Sequence, residues 1–185
     1  MAETRTRLAQ KVTAGLAALI GANAAALCIH LTGGAEGKRN DPYLDRVGNT
    51  VIPTVCYGQT GVPMRHYSTP ECDRMLSDHL GDFAVGLKKR LPEFDAYTDG
   101  EKAALIDYAY NRGLGNLDKA SGPNDPPNVL VLYRTHDPAR CDAFERWAVV
   151  KRGGKWVDCS KRANQCFGIY VRRMEESVMC RGESV

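Results

Sequence analysis

The chain has 185 residues, 43% of them hydrophobic and 25% charged, which suffices for one packed domain plus an appendage and excludes a largely disordered polymer. A formal net charge of +3 is too small for a dedicated nucleic-acid binder, but it suits a protein that approaches a polyanionic surface such as a bacterial wall. The seven cysteines form no Cys-x-x-Cys pair and His30, His66, His79 and His136 are scattered, so neither a metal site nor a cofactor is expected.

At the N-terminus, Arg5, Arg7 and Lys11 stand against Glu3, and Val12 to Leu31 then runs 20 residues without a formal charge. That length can cross a bilayer as a helix, and the basic flank would hold the N-terminus in the cytoplasm. The run is only weakly apolar, with seven Ala, two Gly, Thr13, Asn23 and His30. Three readings compete. It is a signal peptide cleaved at a small-x-small site such as Ala22-Asn23-Ala24, a permanent anchor, or an anchor weak enough to leave the membrane. The length and basic flank weigh against a fourth, an Ala-rich helix in a soluble core. Residues 1–32 are therefore expected as a signal-anchor segment and 33–185 as the folded domain, with Leu31 to Ala35 a flexible joint.

Residues 36 to 61 read as turns and short strands, because Gly48-Asn49, Pro53 and Gly58 through Pro63 break any helical period. Ser68-Thr69-Pro70-Glu71 opens a helix that ends at Pro92, with Met75, Leu80, Phe83, Leu87 and Leu91 at near-helical spacing. Thr98-Asp99-Gly100-Glu101 starts a second helix, ended by Gly113. Ala120 to Pro127 is a polar loop, and further helices are expected at about 128–135, 138–150 and 168–181. A short β region followed by helices gives an α+β, mostly helical domain with a small N-terminal β-hairpin region.

Glu36, Asp45 and Thr54 are the candidate chemical groups. Two carboxylates and a hydroxyl beside a Gly-rich turn are the parts a glycosidase needs: one carboxyl group protonates the leaving sugar oxygen, and the other, with the hydroxyl, holds a water on the opposite face. Six cysteines follow the apolar run and one, Cys28, lies inside it. An even set in the soluble part points to disulfides and an oxidising compartment, with 15 possible connectivities.

These residues resemble the phage-type lysozymes, glycoside hydrolase family 24, and more closely its endolysins with a signal-anchor-release segment. Glu36 and Asp45 have the family's eight intervening residues, and Val55-Cys56-Tyr57-Gly58-Gln59-Thr60-Gly61 is similar to the strand and turn after the family threonine. Asn111-Arg112-Gly113-Leu114-Gly115-Asn116, Arg146-Trp147 and Arg172-Arg173-Met174-Glu175 match three further blocks in order. The likeness runs from about Gly34 to Gly182. Two departures stand out. Eight residues rather than five separate Asp45 from Thr54, leaving Thr50, with four, as the other candidate, and Gln59 stands where His is common.

The resemblance implies a lysozyme-like fold and cleavage of the β-1,4 bond between N-acetylmuramic acid and N-acetylglucosamine in peptidoglycan during host lysis. Glu36 would be the general acid, tempered by Arg172 or Arg173; Asp45 would stabilise oxocarbenium-like charge and orient water, and Thr54 would hold that water. Tyr57, Asn111 and Trp147 would be sugar contacts. It further implies the pairs Cys56–Cys72 and Cys141–Cys180, leaving Cys159–Cys166 to close a short extra loop. Related proteins can be held inactive by an anchor cysteine bonded near the cleft, here Cys28 on Cys56, until thiol exchange frees it. The expected setting is the host inner membrane, with the N-terminus in the cytoplasm and release to the periplasm. Peptidoglycan is the partner, nucleic acid is not, and a monomer is expected. Two other readings remain open: a lytic transglycosylase using Glu36 alone, and a tethered wall-binding protein without turnover.

Overall fold

The computed structural model describes residues 14–47, 50–119 and 125–183. The basic flank at Met1 to Lys11, the Gly48-Asn49 turn and the start of the Ala120 to Pro127 loop lie outside these residues.

The apolar run forms two helices, α1 (Ala14–Ile20) and α2 (Ala22–Glu36), bent by 113°. The bend falls at Gly21, whose φ of +92° few other residues adopt. No single described helix is long and apolar enough to cross a membrane; α1 and α2 reach that length only as a bent pair. Leu16, Ile20, Ala24, Ala25, Cys28, Ile29 and Leu31 are buried in the main core. In this conformation the run is the core helix that its length and flank weighed against. The physical reason is side-chain size: Ala24 and Ala25, both at 0% exposure, let α2 lie close against its neighbours. The flexible joint expected over Leu31 to Ala35 is likewise helix. Leu31 and Thr32 are buried, and α2 continues to Glu36 and stops at Gly37, φ +66°. The expected division between residues 32 and 33 falls inside this helix.

Strands β1 (Arg39–Val47) and β2 (Thr50–Cys56) pair antiparallel, with Asp45 opposite Ile52 and Tyr43 opposite Thr54, and a bulge between Arg39 and Tyr43. The Cys56–Cys72 disulfide fixes the end of β2 to the first turn of α3 (Thr69–Arg90). That helix starts at a capping box between Ser68 and Glu71 and ends before Pro92, where the sequence signals stand. A short 3-10 turn, Phe94–Ala96, leads to α4 (Asp99–Arg112). Thr98 Oγ1 accepts from Glu101 N at 3.2 Å and Glu101 Oε2 accepts from Thr98 N at 2.9 Å, closing a second capping box. α4 is buried along Ala103–Ala109 and packs against α2, α3 and α8 (Phe167–Cys180), so it is the central pillar of the core.

Between α4 and α8 run the short helices α5 (Leu114–Leu117), α6 (Val129–Arg134) and α7 (Ala143–Arg146). The helix expected over 138–150 is cut short. After α7 the chain makes a second hairpin, β3 (Val149–Arg152) and β4 (Lys155–Asp158), turning at Gly153 and Gly154 with φ of +55° and +79°. Adjacent β-branched Val149 and Val150 and a Gly-Gly turn are hairpin signals that outweigh the helical reading. Cys159–Cys166 closes the loop after β4, and Cys141–Cys180 ties the α7 region to the end of α8.

Candidate active site

Glu36 is the last residue of α2, and its side chain is 23% exposed. Its Oε1 accepts from Arg172 Nη1 at 2.5 Å. Arg172, on α8, is itself fixed: its Nε and Nη2 donate to Asp107 Oδ2 and Oδ1 at 2.9 and 2.8 Å. Asp107 comes from the middle of α4 and is wholly buried. Three helices thus each supply one member of a chain from Glu36 to Arg172 to Asp107. Burial opposes a charge on Asp107, but the facing guanidinium and its hydrogen bonds prevail and hold the carboxyl below its usual range. The same contacts raise Arg172 further, so the central cation is permanent.

Of the two candidate arginines, Arg172 alone is bonded to Glu36. Arg173 turns the other way: its Nη2 lies 2.6 Å from Glu176 and donates to Asn111 Oδ1 at 3.1 Å. Glu176 is fully buried, and that burial, reinforced by Asp107 and opposed by Arg173, pushes its carboxyl well above the ordinary range. Asn111 is exposed and lines the groove of about 500 Å³ that runs along α2 and α8 past Gly34, Ala35 and Arg172.

The other side of the carboxyl is set by the turn after β2. A Cβ on Gly58 would stand 3.4 Å from Glu36 Oε2, and the residue has φ +87°. Tyr110 OH donates to Tyr57 O at 2.6 Å, holding this turn against α4. Burial first, and then the Glu36 charge, push the Tyr110 phenol up. Tyr57 itself is 2% exposed and its OH donates to Asp73 at 2.6 Å. Its ring is a core contact rather than a sugar contact, because the loop uses it to reach α3.

Asp45 is exposed on β1 and Thr54 is 3% exposed on β2. With Tyr43 opposite Thr54 and Asp45 opposite Ile52, strand alternation puts Tyr43, Asp45 and Thr54 on one face of the hairpin. Tyr43 links this face to the helix end: partial burial raises its phenol, Asp45 adds to the shift, and Glu36 contributes more weakly. Thr54 Oγ1 donates to Ile52 O at 3.0 Å, which leaves its lone pairs to accept from a water. Thr50 shares the face but sits at the hairpin tip, opposite Val47 and four residues from Thr54, or about 13 Å along the strand.

Trp147 is 8% exposed, its Nε1 donates to Pro127 O at 2.8 Å, and Arg112 covers its ring at 3.9 Å. It borders the groove's continuation without facing Glu36. Cys28 is unpaired and buried in α2, while Cys56 is committed to Cys72, so the Cys28–Cys56 bond does not exist in this conformation.

Sequence reading missed Asp107, Glu176, Tyr43 and Tyr110. Asp107 left a signal, since it is the one acid in the run Ala103-Ala-Leu-Ile-Asp-Tyr-Ala109 and stands one helical turn before Asn111.

The family model described as Phage lysozyme matches residues 33–176. At 28% identity, 89% of this chain aligns with 90% of the SAR-endolysin of Bacteriophage PS34, and at 30% identity the same share aligns with 90% of the SAR-endolysin of Bacteriophage PS119. A probable prophage lysozyme of Escherichia coli K12 is 27% identical over 94% of this chain and 95% of its own. The active form of P1 phage endolysin Lyz superposes with a TM-score of 0.66 at 18% identity, over 84% of this chain and 83% of that one. The muramidase domain of SpmX from Asticaccaulis excentricus gives 0.61 at 18%, over 82% and 92%. The matched region holds Glu36, Asp107 and Arg172 together with the hairpin, and the chain belongs to the phage lysozyme family.

Proposed function

We propose that the chain is a peptidoglycan muramidase that hydrolyses the β-1,4 bond between N-acetylmuramic acid and N-acetylglucosamine. The observation that carries this reading is the chain from Glu36 through Arg172 to Asp107, in which Arg172 also lines an open groove. Arg172 occupies Oε1, so Oε2, the atom beside Gly58, is the one to pass a proton to the glycosidic oxygen. Asp45, on the hairpin face that carries Tyr43 and Thr54, is the carboxylate that stabilises positive charge developing on the sugar ring. Thr54 accepts a hydrogen bond from the water that attacks it.

The N-terminal run then has two states. In one it is a weak inner-membrane anchor with the N-terminus in the cytoplasm; in the other it is α1 and α2 of the released periplasmic enzyme, acting as a monomer. Its weak apolarity and the likeness to SAR-endolysins support this.

Mass spectrometry of fragments released from purified peptidoglycan by the full chain tests the chemistry, with Glu36→Gln as control. Reducing-end muramic acid, absent from the Glu36→Gln digest, is expected. Anhydro-muramic acid would replace the reading with a lytic transglycosylase that does not need Asp45. No fragments from a folded, disulfide-bonded protein would leave a wall-binding protein.

A further inference from the structure

Positive charge is unevenly placed on this chain. Residues 152–162 carry Arg152, Lys155, Lys161 and Arg162 against the single acid Asp158, a net +3 that equals the formal charge of the whole chain. The rest of the chain is therefore neutral on balance. All four cations are exposed, and none borders the groove past Arg172 or the cavities at Trp147 and Trp156.

The four are held as one surface. Arg152 and Lys155 stand directly opposite each other across the Gly153-Gly154 turn, a position where like charges destabilise a strand pair. Arg152 Nη1 donates to Asn164 O at 2.8 Å, and Asn164 Nδ2 donates to Asp158 O at 2.7 Å. These bonds draw the loop that carries Lys161 and Arg162 back onto the hairpin, and the Cys159–Cys166 disulfide closes it. Asp158 is occupied locally, accepting from Ser160 N at 2.9 Å. Among the described residues none of the four cations reaches a carboxylate at ion-pair distance. By contrast, Arg65, Lys88, Arg90, Arg140 and Arg181 each stand 2.6 to 3.1 Å from an acid. Like charges gathered in this way repel one another, and a multivalent anion laid over them relieves the repulsion.

The flank of this surface is aromatic. The Arg162 guanidinium lies 3.9 Å over the Phe167 ring, the Phe167 and Tyr170 ring centroids are 5.3 Å apart, and Val171 follows at 39% exposure. Phe167 and Tyr170 are half-buried. Cations beside half-exposed aromatic rings suit the headgroup region of a bilayer, where phosphates meet the charges and the rings sit at the polar–apolar boundary. A phosphate polymer in water offers the rings nothing. We infer that the β3–β4 hairpin and its disulfide-closed loop dock the folded domain on an anionic bilayer surface. Arg152, Lys155, Lys161 and Arg162 meet the lipid phosphates, and Phe167 and Tyr170 lie at the interface. The inference goes beyond the muramidase reading and does not depend on it, because lipid binding is measured without turnover.

The test is sedimentation of the full chain with vesicles of phosphatidylcholine alone and with phosphatidylglycerol added. The N-terminal run is the same in every variant, so its own contribution cancels between proteins. Wild type is expected to prefer the anionic vesicles, and added salt should weaken the preference. Each of the four cations changed to Gln should lower it about fivefold, as expected for a basic residue near such a surface. Lys161→Gln with Arg162→Gln leaves the Arg152–Asn164 bond in place, so this pair decides the matter even if Arg152→Gln does not fold. Arg74→Gln with Lys89→Gln removes the same charge from exposed positions on α3 and should change the preference less than twofold. A wild type with no anionic preference overturns the inference. An equal loss in the two pairs also overturns it, since net charge rather than this surface would then be responsible. Displacement of the protein by inorganic polyphosphate, at the phosphate concentration of the lipid, would overturn the bilayer as partner and assign the surface to a phosphate polymer.

Discussion

Asp107 is where the site is most sensitive to a single atom. Replacing its carboxylate by an amide removes the anion that orients Arg172 and leaves a buried guanidinium short of charge, which costs about 3–5 kcal/mol at such positions. Its pH dependence has a definite sign. The folded carboxyl titrates below its unfolded value of about 3.9, so its stabilisation is whole above about pH 4 and is lost as acid takes the pH through the depressed value. Glu176 works in the opposite sense. Its folded carboxyl titrates above the unfolded value of about 4.3, so its contribution is whole below that pH and is lost as the pH rises through the raised value. Thermal unfolding measured across pH should therefore show Glu176→Gln, a neutral mimic of the protonated acid, losing less stability than wild type on the alkaline side. Asp107→Asn should be less stable at neutral pH yet lose less on further acidification. Identical profiles for the three proteins would contradict the assignment.

Among the elements, the β1–β2 hairpin carries the main question left by the sequence, where Thr50 and Thr54 are both spaced plausibly from Asp45. Register separates them. Thr54 is buried opposite Tyr43, the residue that senses both Asp45 and Glu36, whereas Thr50 stands exposed at the tip. Thr54→Ala should lower kcat at least tenfold and Thr50→Ala should leave it within twofold, consistent with a water held only at position 54. The reverse order in steady-state rates would move the water to the tip. The helices from Ser68 to Arg112 were legible because their caps are local: Ser68/Glu71 and Thr98/Glu101 announce themselves within four residues. Two features were not. The β3–β4 hairpin sits in a stretch too short and too mixed to show a period, and Asp107's role depends on a partner 65 residues away. The spacing to Asp45 picks out Glu36 as a candidate, but not its pairing with Arg172 rather than Arg173: both arginines are buried on α8, and each meets a different carboxylate. A single residue of register decides that, and adjacent arginines do not reveal it.

At the scale of the whole molecule, the proposed function asks the N-terminal run to answer to two environments. A bilayer requires length and apolarity, and here it is given length with little apolarity. The folded domain requires small residues, and Ala24 and Ala25 supply them at positions with no spare room. The same composition that makes an anchor weak makes the core helix fit. Ala25→Leu should therefore destabilise the folded domain by about 1–3 kcal/mol through overpacking, while Ala26→Leu, at a half-buried position, costs less. Equal unfolding midpoints for the two variants in the absence of membrane would argue that α2 does not pack as described. Because α2 delivers Glu36 to Arg172, the domain and its site should assemble only when the run leaves the membrane and enters the core.

The most direct test of that claim compares peptidoglycan fragment release by the full chain with release by residues 33–185. The shorter chain keeps Glu36, Asp45 and Thr54 but loses α1 and most of α2. The account predicts reducing muropeptides from the full chain and none from the shorter one, which should also lack a cooperative unfolding transition. Equal release by a cooperatively folded 33–185 chain would show that the N-terminal run is not part of the working core.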